Sequence, residues 1–267
     1  MTSFPSNLPK ITIITPSYNQ VNFIERTIES VLSQNYPDLE YIVMDGGSTD
    51  GTIEVLKKYS NNVVWVSEKD RGQSHAINKG IRIATGDVIA YLNSDDLYEP
   101  GALLSVGSFI NRHPNTYWLT GKCRFIDQKG HEIRKIASVY KTFWLLWGSY
   151  TALTVLDYVS QPATFWHREV IDKVGNFDEN LHYTMDYDFS LRVGKVYKLW
   201  RMNRYLARYR IHPTSKTFSS AASINAQFDE DLAIAKKNGA SQSLLRLHAL
   251  HNAMIIKIYR RFFHSSS

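Results

Sequence analysis

The chain has 267 residues, 43% hydrophobic and 21% charged, which allows a sizeable buried core and excludes a disordered polymer. Its single cysteine, Cys123, excludes a disulfide framework or a cysteine-built zinc site within the chain. No run reaches the roughly 18 to 20 apolar residues of a membrane span, and the net charge of +6 favours anionic partners: phosphorylated small molecules, nucleic acid or an acidic membrane surface.

From Lys10 onward, short β-branched runs alternate with helical spacings, the order of a parallel α/β sheet flanked by helices. "ITIIT" (11–15) reads as a buried strand, and Phe23, Ile24, Ile28, Val31 and Leu32 recur at helical spacing after it. "EYIVM" (40–44) is a second strand, followed by the turn "DGGSTDGT", in which Asp50 is placed to cap a helix through Ile53, Leu56 and Tyr59. "VVWVS" (63–67), the helix "SHAINKGIRIA" and "DVIAYL" (87–92) complete β-α-β-α-β-α-β. Beyond Pro100 come a helix through Leu103, Leu104, Val106 and Phe109, then a hairpin turning at "DQKG". The aromatic segment 142–159 reads equally as a buried or an interfacial helix. "QPATFW" gives a strand, Arg168 to Val174 a short helix, and "MDYDFSLR" a helix opened by acids. After Pro213 two helical patterns are separated by "NGA". The expected organisation is one α/β domain over 1–212, in two halves (10–96 and 97–212), with a basic helical extension over 213–267.

In open α/β sheets ligands bind beyond the carboxyl ends of the strands, so "PSYNQ", "DGGSTDG", "EKDRGQ" and "NSDD" are the loops to read. In "NSDD", Asp95 and Asp96 are adjacent like charges, which raise each other's pKa unless a cation or hydrogen-bond donors compensate. An oxygen-rich site completed by water and phosphate suits Mg²⁺ or Mn²⁺. The bland alternative is that "SDD" caps the next helix. Asp45 also ends a buried strand, where an acceptor-only carboxylate would favour a base bearing a ring N–H, namely uracil, thymine or guanine.

The ordered set "ITIITPSYNQVNFIERTIESVLSQNYPDLEYIVMDGGSTDGT", "DRGQSHAINKG", "ATGDVIAYLNSDD" and "MDYDFSLR" resembles the inverting GT-A glycosyltransferases of family 2, over about residues 10–212. The resemblance implies a GT-A, Rossmann-like α/β fold with a mostly parallel sheet, a small antiparallel element and a helical tail, and makes 1–212 a catalytic domain with a nucleotide-binding half (10–96) and an acceptor-binding half (97–212). It implies nucleotide contacts from Pro16, Tyr18, Asp45, Arg71, Gly72, Gln73 and Asn78, with Asp95 near the ribose and Asp96 on the metal. Asn78 has the alternative of a polar group packed within its helix. Where relatives carry Asp, this chain has Asn93.

The family's catalytic base falls on Asp186, with Met185 where relatives carry Glu; Asp188 competes, two residues into the helix and facing elsewhere. Favourable interaction with the helix N-terminus is the other reading of both acids. In "YRIHPTSKT", related enzymes close a loop over the diphosphate, which implies a role for His212 on metal or phosphate and sets Lys216 with the residues on the acceptor and donor sugar. Gln161 and Trp166 of "QPATFW" fall on the part facing donor sugar and acceptor, with core packing as the alternative for the tryptophan. The implied reaction is a single displacement, with Asp186 taking the acceptor proton.

The last helix carries Leu244, Leu247, Met254, Ile258 and Phe262 among Arg246, Lys257, Arg260 and Arg261, and residues 241–267 contain no acid. Two readings stay open: contact with an anionic leaflet, or packing on protein. With no signal-peptide core at the N-terminus, the expected location is cytoplasmic, either free or peripheral at the membrane's inner face. The expected partners are a UDP, dTDP or GDP sugar and a saccharide or lipid-linked saccharide acceptor, as in relatives that extend surface polysaccharides. A sugar nucleotidyltransferase is disfavoured because "PSYNQ" has neither glycine nor a basic residue. A non-catalytic carbohydrate or membrane module predicts lost acids, which are present. No G-x-G-x-x-G follows the first strand, which argues against a dehydrogenase, and no nucleic-acid-binding module is recognisable.

Overall fold

The computed structural model describes residues 8–216 and 220–263, without the side chains of Ala221 and 258–263. Thr217, and the side chains of Ile258, Arg260, Arg261 and Phe262, therefore lie outside the described residues. The first strand, β1 (Ile11–Ser17), is buried along its whole length. Ile11 and Ile13 enter one core and Ile14 the other, as a central strand covered on both faces requires. Helix α1 (Ile24–Leu32) lays Ile24, Ile28 and Val31 on the first face. Strand β2 (Leu39–Asp45) pairs parallel with β1. Helix α2 (Thr52–Lys58) starts from Gly51, whose φ of 102° no β-carbon tolerates well. Asp50 serves that start from one position earlier, accepting from Thr52 N at 3.0 Å and its hydroxyl at 2.6 Å.

Strand β3 (Val64–Ser67) and helix α3 (Gln73–Ile83) follow. Gly80 lets α3 lie directly on β1, since a β-carbon there would stand 2.5 Å from Ile14. Strand β4 (Val88–Tyr91) joins the other side of β1. The second half adds β5 (Leu97–Tyr98), α4 (Ala102–Arg112), β6 (Trp118–Ile126) and β7 (Glu132–Ile133). Next come α5 (Lys135–Trp147), α6 (Tyr150–Leu153), β8 (Thr164–His167), α7 (Arg168–Val174), α8 (Met185–Gly194) and β9 (Leu199–Arg210). The sheet order is β3-β2-β1-β4-β8-β6-β9-β5, with β7 on β6. Pairing is parallel among β1 to β4 and between β6 and β9, and antiparallel through β8, β5 and β7.

The helix expected within 142–159 begins earlier, at Lys135. The chain leaves the sheet at Arg134, whose φ is 49°, so the hairpin's second strand is only two residues long. Helix α9 (Ala221–Lys237) buries Ile234 and Ala235 in the same core cluster as Trp166 and Phe189. Its Glu230 accepts from the backbone N–H of His182, Tyr183 and Thr184 at 2.7–2.8 Å, holding the approach to α8. Helix α10 (Gln242–Phe263) packs one face: His248 and Asn252 are buried, and His248 Nδ1 donates to Thr154 O at 3.1 Å. Among the described residues no helix is long and apolar enough to cross a membrane.

Candidate active site

Strand register assembles the site. Ser17 pairs with Asp45 and Asp45 with Ser67, so three strands end on one line, while Leu92 N bonds Ile14 O at 2.9 Å and delivers the next turn beside them. Beyond these ends lies a cavity of about 570 Å³, within the range of small-molecule sites. The first half of the chain lines it with Pro16, Tyr18, Gly72, Gln73, Asn93 and Asp95; the second half contributes Asp157, Gln161, Asp186, Lys216 and Asp231. Gln161 is buried and donates to Tyr91 O at 2.6 Å, tying the β8 approach to the end of β4.

The two adjacent acids part company. Asp95 faces the cavity, and its Oδ2 lies 2.9 Å from Nε2 of His212. Asp96 is 1% exposed and points inward, accepting from Arg210 N at 2.8 Å and from Asn93 Nδ2 at 3.3 Å. Burial first, then the Asp95 charge, push its carboxyl well above the usual range. Buried Arg210 clamps the turn, donating to Asp95 O at 2.7 Å and to Asp127 O and Gln128 O at 2.9 and 3.0 Å. Thr27 in α1 adds its hydroxyl to Ser94 O and Asp96 O. Asn93 has its own task, accepting from Gln73 Nε2 at 2.6 Å while donating to Asp96; an aspartate there would set a third negative charge against a buried one.

Of the expected metal residues Asp96 and His212, His212 meets Asp95 and not Asp96, whose carboxyl points inward. The mixed oxygen and nitrogen atoms of Asp95 and His212 are close enough to share one ion. His212 is itself oriented, with Nδ1 2.8 Å from the Thr214 hydroxyl and its ring 4.4 Å from Phe23, as a ligating imidazole requires. No group of three or more His, Cys, Asp or Glu able to hold a metal occurs among the described residues. The pair fits a divalent ion that takes its remaining ligands from substrate phosphate and water.

Asp186 opens α8, partly exposed to the cavity, with Tyr187 N donating to its Oδ1 at 3.0 Å. Burial chiefly, and the neighbouring Asp157 charge next, raise its pKa to about 7. Asp188 faces away: it is 1% exposed and paired with Arg192 Nε at 2.8 Å. Met185 is buried with the Ser74 hydroxyl against its sulfur. Two further carboxyls share the cavity that sequence reasoning did not single out. Asp157 is raised by burial, with Lys141 Nζ 4.0 Å away; Asp231 is raised well above the usual range by burial, then by Asp157 and Asp186. Asp157 carried a readable signal, being the only acid between Glu132 and Glu169. Asp231, in "FDEDLAIA", carried none. Lys216 has its ammonium 5.8 Å from the Tyr183 ring, and burial lowers its pKa.

Several expected residues do not line this cavity. Asn78 is 2% exposed and spends its amide on Phe177 O, Phe177 N and Glu179 Oε1, all within 3.1 Å, so it is a packed polar pin between α3 and the loop before α8. Arg71 is exposed and paired with Glu179. Asp45 accepts from Gly47 N, Ser48 N and the hydroxyls of Ser48 and Ser67. Three of these bonds fall on Oδ2 and one on Oδ1, and the residue is 1% exposed. A nucleobase N–H reaches it only if one of those hydroxyls rotates away. Trp166 is 2% exposed and packed against Tyr91, Phe177 and Phe189, with ring centroids 5.3–6.2 Å apart; it is core. Trp166→Ala is expected to cost about 3–5 kcal/mol of stability, measured by urea unfolding, far more than it changes donor affinity in the folded fraction.

A family model described as "Glycosyl transferase family 2" matches residues 12–167. The chain is 28% identical over 214 residues to an uncharacterized glycosyltransferase of Rickettsia typhi, covering 78% of this chain and 66% of that protein. It is 29% identical over 217 residues to a hyaluronan synthase of Pasteurella multocida, covering 78% of this chain and 21% of the synthase. The chain thus spans less than two thirds of the length of these relatives. Among solved structures, a mannosyltransferase from Pyrobaculum calidifontis in complex with GDP-Man and Mn²⁺ superposes with a TM-score of 0.70 at 18% identity, covering 95% of this chain and 71% of that one. TarS residues 1–349 from S. aureus in complex with UDP give 0.62 at 18% identity, covering 84% and 65%. These likenesses show the GT-A fold.

Proposed function

Given that the chain belongs to glycosyl transferase family 2, we propose that it transfers a sugar from a UDP, dTDP or GDP sugar to a saccharide or lipid-linked saccharide, with inversion, in polysaccharide synthesis. The observation carrying this reading is that Asp186, a carboxylate poised at neutral pH, lines the same cavity as Asp95, whose Oδ2 is met from behind by buried His212. Solved relatives bound to UDP and to GDP-Man with Mn²⁺, and relatives named chondroitin and hyaluronan synthases, support the donor and product classes.

In this reading the diphosphate lies by Asp95 and His212, with Gly72, Gln73 and Tyr18 lining the donor's side of the cavity. A divalent ion bound there would offset the negative charge of the departing diphosphate. Asp186 accepts the proton of the attacking acceptor hydroxyl. Asp157 and Asp231 accept hydrogen bonds from other acceptor hydroxyls, and Lys141 and Lys216 offset their charge. Asp45 reads the base through the Ser48 and Ser67 hydroxyls that it already holds.

Because the base must be ionised and its pKa is raised to about 7, kcat/KM should rise with pH through about 7, instead of being flat from pH 5 as for an ordinary carboxylate. The test pairs that profile with proton NMR of the product formed from a panel of sugar nucleotides. Inverted anomeric configuration supports the reading. Retention would overturn the single displacement and point to Asp157 or Asp231 as a nucleophile, since both are in the cavity.

A further inference from the structure

Helix α5 carries an apolar stripe that stays largely exposed among the described residues. Ile136, Val139, Phe143 and Trp147 stand at i, i+3, i+7 and i+11, one line along a helix; Ile136 is 87% exposed and Trp147 78%. Helix α10 has a second line at the same spacing, Leu247, Leu250 and Met254, each about half or more exposed. The two lines border one contact. Tyr140 lies one turn from both Ile136 and Phe143, His251 lies one turn from both Leu247 and Met254, and their side chains stack with Tyr140 Oη 3.1 Å from His251 Nε2. Tyr140 and His251 also line the cavity, so the two helices that carry the stripes wall one side of it.

Contiguous exposed apolar surface marks an interface, and charge names the occupant. Exposed Lys135 lies at the head of the α5 line; exposed Arg246 and Lys257 run beside the α10 line; residues 241–267 contain no acid. A two-fold contact with a second copy would set these like charges across one interface. An anionic lipid headgroup layer neutralises them while the stripes enter the acyl boundary.

We propose that α5 and α10 together form a docking surface for an anionic bilayer, seating that side of the cavity at the membrane. Docking stands on exposure and charge alone. Only its use, presenting the cavity to an acceptor held in the bilayer, rests on the proposed glycosyl transfer. The surface is wider than the basic tail expected from sequence, because its most exposed apolar residues lie on α5.

The test is co-sedimentation of the full chain with phosphatidylcholine vesicles, with and without phosphatidylglycerol. Binding is expected only with phosphatidylglycerol, weakening as salt rises. Phe143→Ser combined with Trp147→Ser, and separately Leu250→Ser combined with Met254→Ser, should each lower partitioning about tenfold or more. Circular dichroism and turnover with a water-soluble acceptor should be unchanged. Equal binding to neutral vesicles, or no effect of either double variant, overturns the proposal. So does a dimer in sedimentation velocity that the same substitutions dissociate, which would assign the surface to a second copy. If no glycosyl transfer is found at all, the vesicle result still stands or falls independently.

Discussion

Asp186→Asn should lower kcat for sugar transfer by about 10²–10⁴-fold, the usual contribution of a positioned proton acceptor, while the Kd for nucleoside diphosphate changes by less than about twofold. The amide preserves volume and can still accept from Tyr187 N, so the site keeps its shape and loses only its proton acceptor. Stability should move the other way. The folded pKa of Asp186 is raised to about 7, so its protonated form suits the fold better. The stability it contributes is therefore full below the ordinary carboxylate range and is lost as pH rises through about 7. The variant's gain in Tm over the parent should accordingly be larger above that pH than below it. Equal losses of turnover and nucleotide binding would remove Asp186 from the catalytic role.

Asp95→Ala should weaken Mn²⁺-dependent nucleotide binding by about 10–100-fold or more, and His212→Ala should act in the same direction. Asp96→Asn should leave the Mn²⁺ titration nearly unchanged, because its amide oxygen still accepts from Arg210 N. Asp96→Ala removes that acceptor and should cost about 1–3 kcal/mol of stability. Isothermal titration with and without Mn²⁺, alongside urea unfolding, separates these effects. If Asp96→Asn abolished the metal dependence and Asp95→Ala spared it, the ion would belong to the inward acid after all.

The opposite orientations of Asp95 and Asp96 lie beyond what the sequence can specify. Both follow the end of a buried strand in "NSDD", and along the chain they are equivalent. What separates them is Arg210, 114 residues further on, whose backbone N–H claims Asp96, together with His212, which meets Asp95. Asp186 and Asp188 differ in the same way, through Arg192 and the edge of the cavity.

Runs of β-branched residues and helical spacings were sufficient to mark β1 to β4 with their intervening helices: β1, β2 and β4 because a strand buried on both faces must be apolar, edge strand β3 by its β-branched run alone, and each helix by its apolar stripe. The loops that carry the chemistry followed, since they must lie at the strand ends. The tertiary structure decided what depends on partners distant in sequence. Asn78 is pinned to Phe177, Trp166 is consumed by the core, and Asp231 arrives from α9 with no local signature. The line on α5 also stays exposed, where its composition suited a buried helix equally well. A side chain's direction and burial are fixed by what packs against it, and periodicity along one element names the face without naming its neighbour.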